Sequence, residues 1–179
     1  MSTDRHEPAA TIQTPGVHHA PADYECFCCA IAAGRQGSLT SQNEVIMRTD
    51  HMTAFISSHW WPNNPGHVLV ITNRHIENVY DFPSELGGPL MDMTRQVALA
   101  LKAVYGCEGV STRQHNEPAG NQDVWHYHQH VFPRWTDDNL YARHHEKRLA
   151  AEADRIERAV ELRDYLCPQN VIQPRPSGD

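Results

Sequence analysis

Three histidines alternate along the segment "DVWHYHQHVFPRW", residues 123–135, at positions His126, His128 and His130. Side chains of a β-strand alternate between its two faces, so a strand here would point all three imidazoles the same way. Successive positions on one face lie roughly 6.6 Å apart, which separates the outer pair by about 13 Å. A Zn–N bond is about 2.1 Å long, so one ion can bind two neighbouring rings but hardly all three. The spacing disfavours a metal site made of all three histidines and predicts that the three have different roles.

A partial metal site, a pH-sensitive patch and a catalytic row remain as interpretations, beside the plain one of a solvent-facing polar strand. Neutral imidazole is a competent nucleophile near pH 7 because its unperturbed pKa is about 6.5. A second imidazole one step along the strand can hold a phosphate oxygen or protonate a leaving group. Backbone N–H groups and the Gln122 amide can stabilise charge on phosphate oxygens. The row is therefore chemically suited to attack on phosphorus.

The segments on both sides of the row predict an antiparallel α+β domain. A short helical turn is predicted in "CFCCAIAAGR", and the last strand, "VWHYHQHVFPR", is expected to stop at Pro133. Four earlier β-type runs are predicted, at residues 44–48, 51–57, 67–71 and 109–116. The result is a sheet of about five strands.

Two helices are predicted around these strands. A long central helix opens at Pro83 and ends at Gly106, because apolar residues recur every three or four positions between them. A C-terminal helix follows, and its buried face is expected to consist of Leu149, Ala153, Ile156 and Val160.

The 179 residues suffice for one domain, expected at residues 23–166, with flexible tails at 1–22 and 167–179. A formal net charge of −7 argues against a nucleic-acid binder, which needs a basic face. No apolar run approaches the roughly 20 residues that span a bilayer, and the N-terminus lacks the apolar core of a secretory signal. We therefore expect no membrane association and a cytoplasmic protein.

Five cysteines are present, and three of them, Cys26, Cys28 and Cys29, crowd into "CFCC". An odd number with this clustering indicates a metal site or reduced thiols rather than a framework of disulfides.

The pattern "HYHQHVF" resembles the signature of the histidine triad (HIT) superfamily of nucleotide hydrolases and nucleotidyl transferases. The similarity extends to "CFCCAI", to "AFIS…PGHVLVITNRHIENV" and to "AGNQDVWHYHQHVFPR". Together these stretches cover roughly residues 24–135. The resemblance implies a HIT-like fold, a homodimer, and cleavage at the α-phosphate of a dinucleoside polyphosphate or nucleoside phosphoramidate. The alternative is a nucleotide-binding or partner-binding protein with little turnover.

The resemblance also implies roles for individual residues. His128 would attack the α-phosphate and form a nucleotidyl-histidine, while His130 would contact the phosphate or the leaving-group oxygen. His67 would orient the triad, and Gln122 and Gln114 match amides near the phosphates.

Two departures from the family pattern lie near these positions. His59 stands where the family has a ribose-binding Asp or Asn, and imidazole cannot accept from both ribose hydroxyls as a carboxylate does. Asn121 is an insertion before Gln122 that could move the phosphate-binding loop.

Several bacterial members of the superfamily carry zinc, and their ligands match Cys26, Cys29, His75 and His126 in this sequence. A Cys₂His₂ set is typical of structural zinc. On this interpretation Cys28 is a thiol that does not bind the metal.

Overall fold

The computed structural model of the chain describes residues 17–167, and the parts of the two predicted tails at 1–16 and 168–179 lie outside them. The elements follow in the order α1 (Phe27–Ala32), β1 (Val45–Arg48), β2 (Met52–Ile56), β3 (His59–Trp60), β4 (Val68–Thr72), α2 (Gly87–Tyr105), β5 (Gly109–Gln114), β6 (His128–Arg134), β7 (Arg148–Leu149) and α3 (Glu152–Leu166).

Five strands form one sheet in the order β1-β2-β4-β6-β5, and every neighbouring pair is antiparallel. The sheet, the long helix α2 and the C-terminal helix α3 confirm the predicted α+β fold. Strand β6 has two neighbours along its first half, so His130 lies opposite Leu69 of β4 and opposite Arg113 of β5. This register decides which side chains share a face with the histidine row.

The two faces of the sheet have different coverings. Helices α2 and α3 cover one face. The core on that side includes Ala54, Ile56, Val68, Val70, Val97, Leu101, Val131 and Leu162. The other face packs against α1 through a smaller cluster of Cys28, Ile31, Val45, Phe55, Leu69 and Ile71. His128 and His130 pair with Ile71 and Leu69, so the histidines project from this second face.

Strand β6 begins and ends later than the sequence predicts. It starts at His128, so His126 precedes the regular strand, and it runs through Pro133 to Arg134. At Pro133 the strand pairs with β5 alone, because pairing with β4 ends at Val131. A proline is tolerated where a strand has one open side, since its missing N–H breaks no ladder hydrogen bond there. The prediction that Pro133 stops the strand is therefore wrong.

Helix α3 buries a different face from the predicted one. Leu149 lies outside the helix and is 54% exposed, and Val160 is 42% exposed. The residues that α3 buries are Arg155, Ala159 and Leu162. Arg155 is tolerated in the interior because its Nε donates to the buried Glu44 carboxylate at 2.8 Å. The predicted face is wrong because the buried face includes a charged residue, Arg155, whose ion partner is invisible in the sequence.

A second sheet of two short strands was not predicted. Strand β7 pairs with β3, with Leu149 opposite His59. The pairing brings residues 135–149, which we call the strap, back across the histidine face of the main sheet. The strap thus contributes side chains to the site described below.

Backbone features also fix the start of β4. Gly66 adopts φ of +74°, and a Cβ on it would lie 2.8 Å from the Tyr105 hydroxyl. Glycine suits both the positive φ and the close approach of Tyr105, so the turn just before His67 favours glycine at this position.

The described part of the predicted N-terminal tail contacts the domain. Asn78 donates to the Val17 carbonyl at 2.8 Å, and His18 lies 3.2 Å from the Glu77 carboxylate. No helix among residues 17–167 has the length and apolar character that crossing a membrane requires.

Candidate active site

His128 lies at the start of β6 and is almost completely buried. Its Nδ1 is 2.8 Å from the backbone carbonyl oxygen of His126. A carbonyl only accepts, so Nδ1 carries the proton and Nε2 keeps a free lone pair. Burial lowers the pKa of His128 below its usual 6.5, which favours the neutral ring. This is the protonation state that a nucleophilic imidazole needs.

His130 and His67 form a stacked pair beside the nucleophile candidate. His130 Nδ1 lies 3.2 Å from His67 Nε2, and the His67 ring stacks on Phe132 with centroids 4.4 Å apart. Burial lowers the pKa of His67 to about 3 and the pKa of His130 well below 6.5. Both rings are therefore neutral, and the aromatic stack fixes their orientation.

Two cavities adjoin the histidine row and meet at it. The larger has a volume of about 550 Å³ and the smaller about 100 Å³. His130, Trp61, Asp123 and Lys147 line both, whereas His128 lines only the smaller. A group placed at the boundary would contact both His128 and His130. The larger volume lies in the range of small-molecule binding sites.

The smaller cavity contains the predicted ribose position. His59 lines it together with Phe27, Leu69 and Val124. The Ser58 hydroxyl lies 3.1 Å from His59 Nδ1. Burial, with a smaller contribution from the positive charge of Lys147, lowers the pKa of His59.

Gln122 lies by the larger cavity, but its side chain is already bonded to backbone. Its Oε1 accepts from the N–H of Glu117 at 2.7 Å, and its Nε2 donates to the carbonyl of Glu77 at 2.7 Å. The amide therefore clamps the loop that precedes the triad. The inserted Asn121 adopts φ of +67° in this loop and lines the cavity.

Gln114 is not brought to the histidine row. It pairs with Gln129, which faces α2 through a 2.9 Å bond to Thr94, so Gln114 shares that opposite face. Its amide bonds to Asn116 at 2.7 and 2.9 Å. The expected place of Gln114 beside the phosphates is not the one that the structure gives it.

Several cavity residues were missed in the sequence. Arg113 and His115 flank Gln114 and line the larger cavity. Lys147 and His144 come from the strap. Arg113 carried a partial signal, because strand alternation puts it on the face opposite to Gln114. Only the β5–β6 register shows that Arg113, and not Gln114, shares the face of the histidines. The strap residues carried no signal.

A second cluster lies at the other end of the histidine row. Cys26, Cys29, His75 and His126 place one ligand atom each within 4.8 Å of one another. The Cys26 Sγ lies 3.2 Å from His126 Nδ1, and the Cys29 Sγ lies 3.3 Å from His75 Nδ1. Tetrahedral zinc with the usual bond lengths would separate S and N ligands by roughly 3.6 Å. The donor set and its spacing therefore fit a zinc ion.

The protonation of the cluster agrees with this fit. His126 Nε2 lies 2.9 Å from the Thr72 carbonyl, so Nε2 carries the proton and Nδ1 faces the thiols with its lone pair. A hydrogen bond from the Cys28 thiol lowers the pKa of Cys26, which favours a thiolate. The bond to Cys26 and burial raise the pKa of Cys28, so Cys28 stays a thiol.

The sequence matches the HIT domain family over residues 38–137. The chain belongs to the HIT family. The matched region includes the histidine row and ends within the strap, so this HIT protein has most of the strap and all of α3 outside it. Membership confirms the resemblance seen in the sequence.

Relatives of this HIT protein include Protein hit of Bacillus subtilis, which is 33% identical over 110 residues, or 62% of this chain and 71% of that one. An adenylylsulfatase of Arabidopsis thaliana is 24% identical over 157 residues, covering 84% of this chain and 75% of the relative. The crystal structure of a zinc-bound histidine triad family protein from Mycobacterium smegmatis matches with a TM-score of 0.64 and 26% identity, covering 80% of this chain and 94% of that one.

Proposed function

We propose that the protein is a nucleotide hydrolase or nucleotidyl transferase that cleaves at the α-phosphate through a nucleotidyl-His128 intermediate. The observation that carries the proposal is the 2.8 Å bond from His128 Nδ1 to the His126 carbonyl. It leaves Nε2 with a free lone pair, and His128 lines the smaller cavity. The HIT family consists of nucleotide hydrolases and transferases, which supports the assignment.

The proposed reaction has two steps. Nε2 of His128 attacks the α-phosphorus, the bond to the leaving group breaks, and the leaving group keeps the electron pair. The proton stays on Nδ1 throughout and remains hydrogen-bonded to the His126 carbonyl oxygen. Water or another acceptor then attacks phosphorus, the N–P bond returns its electrons to Nε2, and the acceptor's proton is released.

His130 serves the leaving-group oxygen, and His67 positions His130. The Nδ1 of His67 is buried without a partner. Orphaned buried N–H groups are rare, so we place the proton of His67 on Nε2, where it donates to His130 Nδ1. His130 then carries its own proton on Nε2, directed toward the cavities. It acts as a fixed donor to developing negative charge.

The smaller cavity is the proposed nucleoside side. Phe27, Leu69 and Val124 offer apolar surface for a base, and His59 offers one ring nitrogen to a ribose hydroxyl. Gln122 acts by holding the loop, and we assign Gln114 no direct contact. As an expected consequence, the ribose is held by fewer hydrogen bonds than a carboxylate would give.

Structural zinc bound by Cys26, Cys29, His75 and His126 is part of the proposal. When bound, zinc would tie the start of α1 and the segment after β4 to the segment that leads into β6. Its chemistry is that of a crosslink, because all four tetrahedral positions are taken by protein. The homodimer and the cytoplasmic location remain predictions from the sequence.

Trapping the intermediate tests the proposed function. Full-length protein is mixed with diadenosine tetraphosphate or adenosine 5′-phosphoramidate, quenched within milliseconds to seconds, and analysed by intact mass. Wild type should gain one adenylyl group and His128→Ala none. The competing function, nucleotide binding with little turnover, predicts saturable binding to wild type with neither adduct nor product. That outcome would refute the proposal.

A further inference from the structure

Arg113 forms part of the wall of the larger cavity, on β5 directly opposite His130. Its guanidinium carbon lies 5.2 Å from the ring centroid of Phe132 and 5.4 Å from that of Trp61. Both distances are within the cation–π range of about 6 Å. The two rings therefore hold the guanidinium in a defined place beside the catalytic row.

Arg113 lacks an anionic partner among residues 17–167, and its Nε is buried with no hydrogen bond. The other arginines of this range that are at least partly buried donate to oxygen: Arg134 to Asp138, Arg143 to Glu146, Arg155 to Glu44, Arg158 to Glu161, and Arg163 to backbone carbonyls. Burial lowers the pKa of Arg113, as expected for a cation without compensation. An anion in the cavity would supply the missing interaction.

Lys147 adds a second cation from the strap. It pairs with Asp123 at 3.2 Å, and both side chains are largely exposed. Such pairs are weak, so an incoming anion can displace Asp123 at small cost. Asp123 is also the one carboxylate among the described residues that line the larger cavity. The wall is thus cationic although the whole chain has a formal net charge of −7.

We propose that Arg113 and Lys147 bind an anionic leaving group, so that the enzyme prefers nucleotides whose α-phosphate is joined through an anhydride oxygen to a further phosphate or sulfate. Nucleotides joined to an amine are then poorer substrates. The inference rests on the proposed function and adds the leaving-group class to it. His128 forms the N–P bond, the P–O bond to the bridging oxygen breaks, and that oxygen departs with the electron pair beside the two cations.

The protonation of the site favours the same class. An amine must gain a proton to depart, whereas a phosphate or sulfate oxygen leaves as an anion. Burial keeps His130 and His67 neutral, so neither is a ready source of that proton near pH 7. The larger cavity, at about 550 Å³, also has room for more than an amine.

The test compares kcat/KM of the full-length protein for diadenosine tetraphosphate, adenosine 5′-phosphosulfate and adenosine 5′-phosphoramidate. Wild type should prefer both anhydrides. Arg113→Ala should lower kcat/KM for the anhydrides by at least about tenfold and for the phosphoramidate by less than about twofold. Lys147→Ala should show the same pattern with a smaller loss. Arg95→Ala removes the same charge from an exposed position on α2 and should change none of the three values.

Equal losses on all three substrates, or a wild-type preference for the phosphoramidate, would overturn the inference and leave the proposed function standing. Absence of any adenylyl adduct with all three would instead contradict the proposed function. If Arg113→Ala does not fold, wild-type turnover of the phosphoramidate is measured with inorganic tripolyphosphate. Competitive inhibition that weakens by at least about threefold in Lys147→Ala supports the anion site, and lack of inhibition refutes it.

Discussion

His126 and His128 are two residues apart, yet they present opposite nitrogens. His126 uses Nε2 to bond the Thr72 carbonyl and turns Nδ1 to the thiols of Cys26 and Cys29. His128 uses Nδ1 to bond the His126 carbonyl and leaves Nε2 for the cavities. In each ring a backbone carbonyl fixes the tautomer and so decides which nitrogen has the lone pair. The same side chain thereby has the tautomer that suits a metal ligand at one end of the row and the tautomer that suits a nucleophile at the other.

This difference predicts that turnover and zinc binding can be abolished separately by substitutions at the two ends of the row. His128→Ala should lower turnover of diadenosine tetraphosphate by at least about a thousandfold, because it removes the lone pair that is proposed to attack phosphorus. Its zinc content, measured by inductively coupled plasma mass spectrometry, should equal that of wild type. Turnover within tenfold of wild type would mean that His128 is not the nucleophile, although its Nδ1 bonds the His126 carbonyl.

Disruption of the Cys₂His₂ cluster should lower the stability of the protein more than its turnover. Cys26→Ser should lose zinc and about 3 kcal/mol of unfolding free energy, a fall in Tm of roughly 6–12 °C in calorimetry. Cys167→Ser is the matched control, because Cys167 is exposed and outside the cluster. Zinc below half an equivalent in wild type, with equal Tm values for both variants, would contradict the proposed zinc site.

A smaller effect should come from His67, which contacts His130 but is neither the proposed nucleophile nor a proposed zinc ligand. His67→Phe keeps a ring against Phe132 but loses the 3.2 Å contact with His130. The loss of one hydrogen bond should lower kcat about tenfold and leave KM nearly unchanged, since His67 is buried away from substrate. An equal change in KM would instead indicate general disturbance of the pocket, which the melting temperature of the variant checks.

The smallest expected effect is that of mild acid. Burial lowers the pKa values of His128 and His130 below 6.5, so at pH 6.5 the neutral form of each ring predominates. The nucleophile loses its lone pair only when the pH drops through its lowered value. The midpoint of the acid limb of kcat/KM should therefore lie below pH 6.5. A midpoint at 6.5 or above would show that His128 is solvated in the working enzyme.

Local patterns predicted the main elements because each depends on a short stretch of chain. The alternation at residues 128–134 is a strand, and the three-to-four spacing before Gly106 is the long helix α2. The distance argument on the histidine row excluded a single ion bound by all three rings. The resemblance to the HIT superfamily then picked out His126 as a zinc ligand, and the structure places it in the Cys₂His₂ cluster. The face of α3 could not be predicted, because Arg155 meets Glu44 across 111 positions of sequence.

The sequence by itself determined the α+β fold, because each helix and strand depends on the spacing of apolar residues in a short stretch. Its motifs carried the resemblance to the HIT family, since a motif is also a local pattern. Tertiary structure alone decided which neighbours serve the site. The β5–β6 register puts Arg113 opposite His130 and turns Gln114 to the helix side. A shift of one residue exchanges the two faces of a strand, and no local pattern fixes that register. The pairing of β3 with β7, which brings Lys147 over the histidines, is likewise a long-range contact.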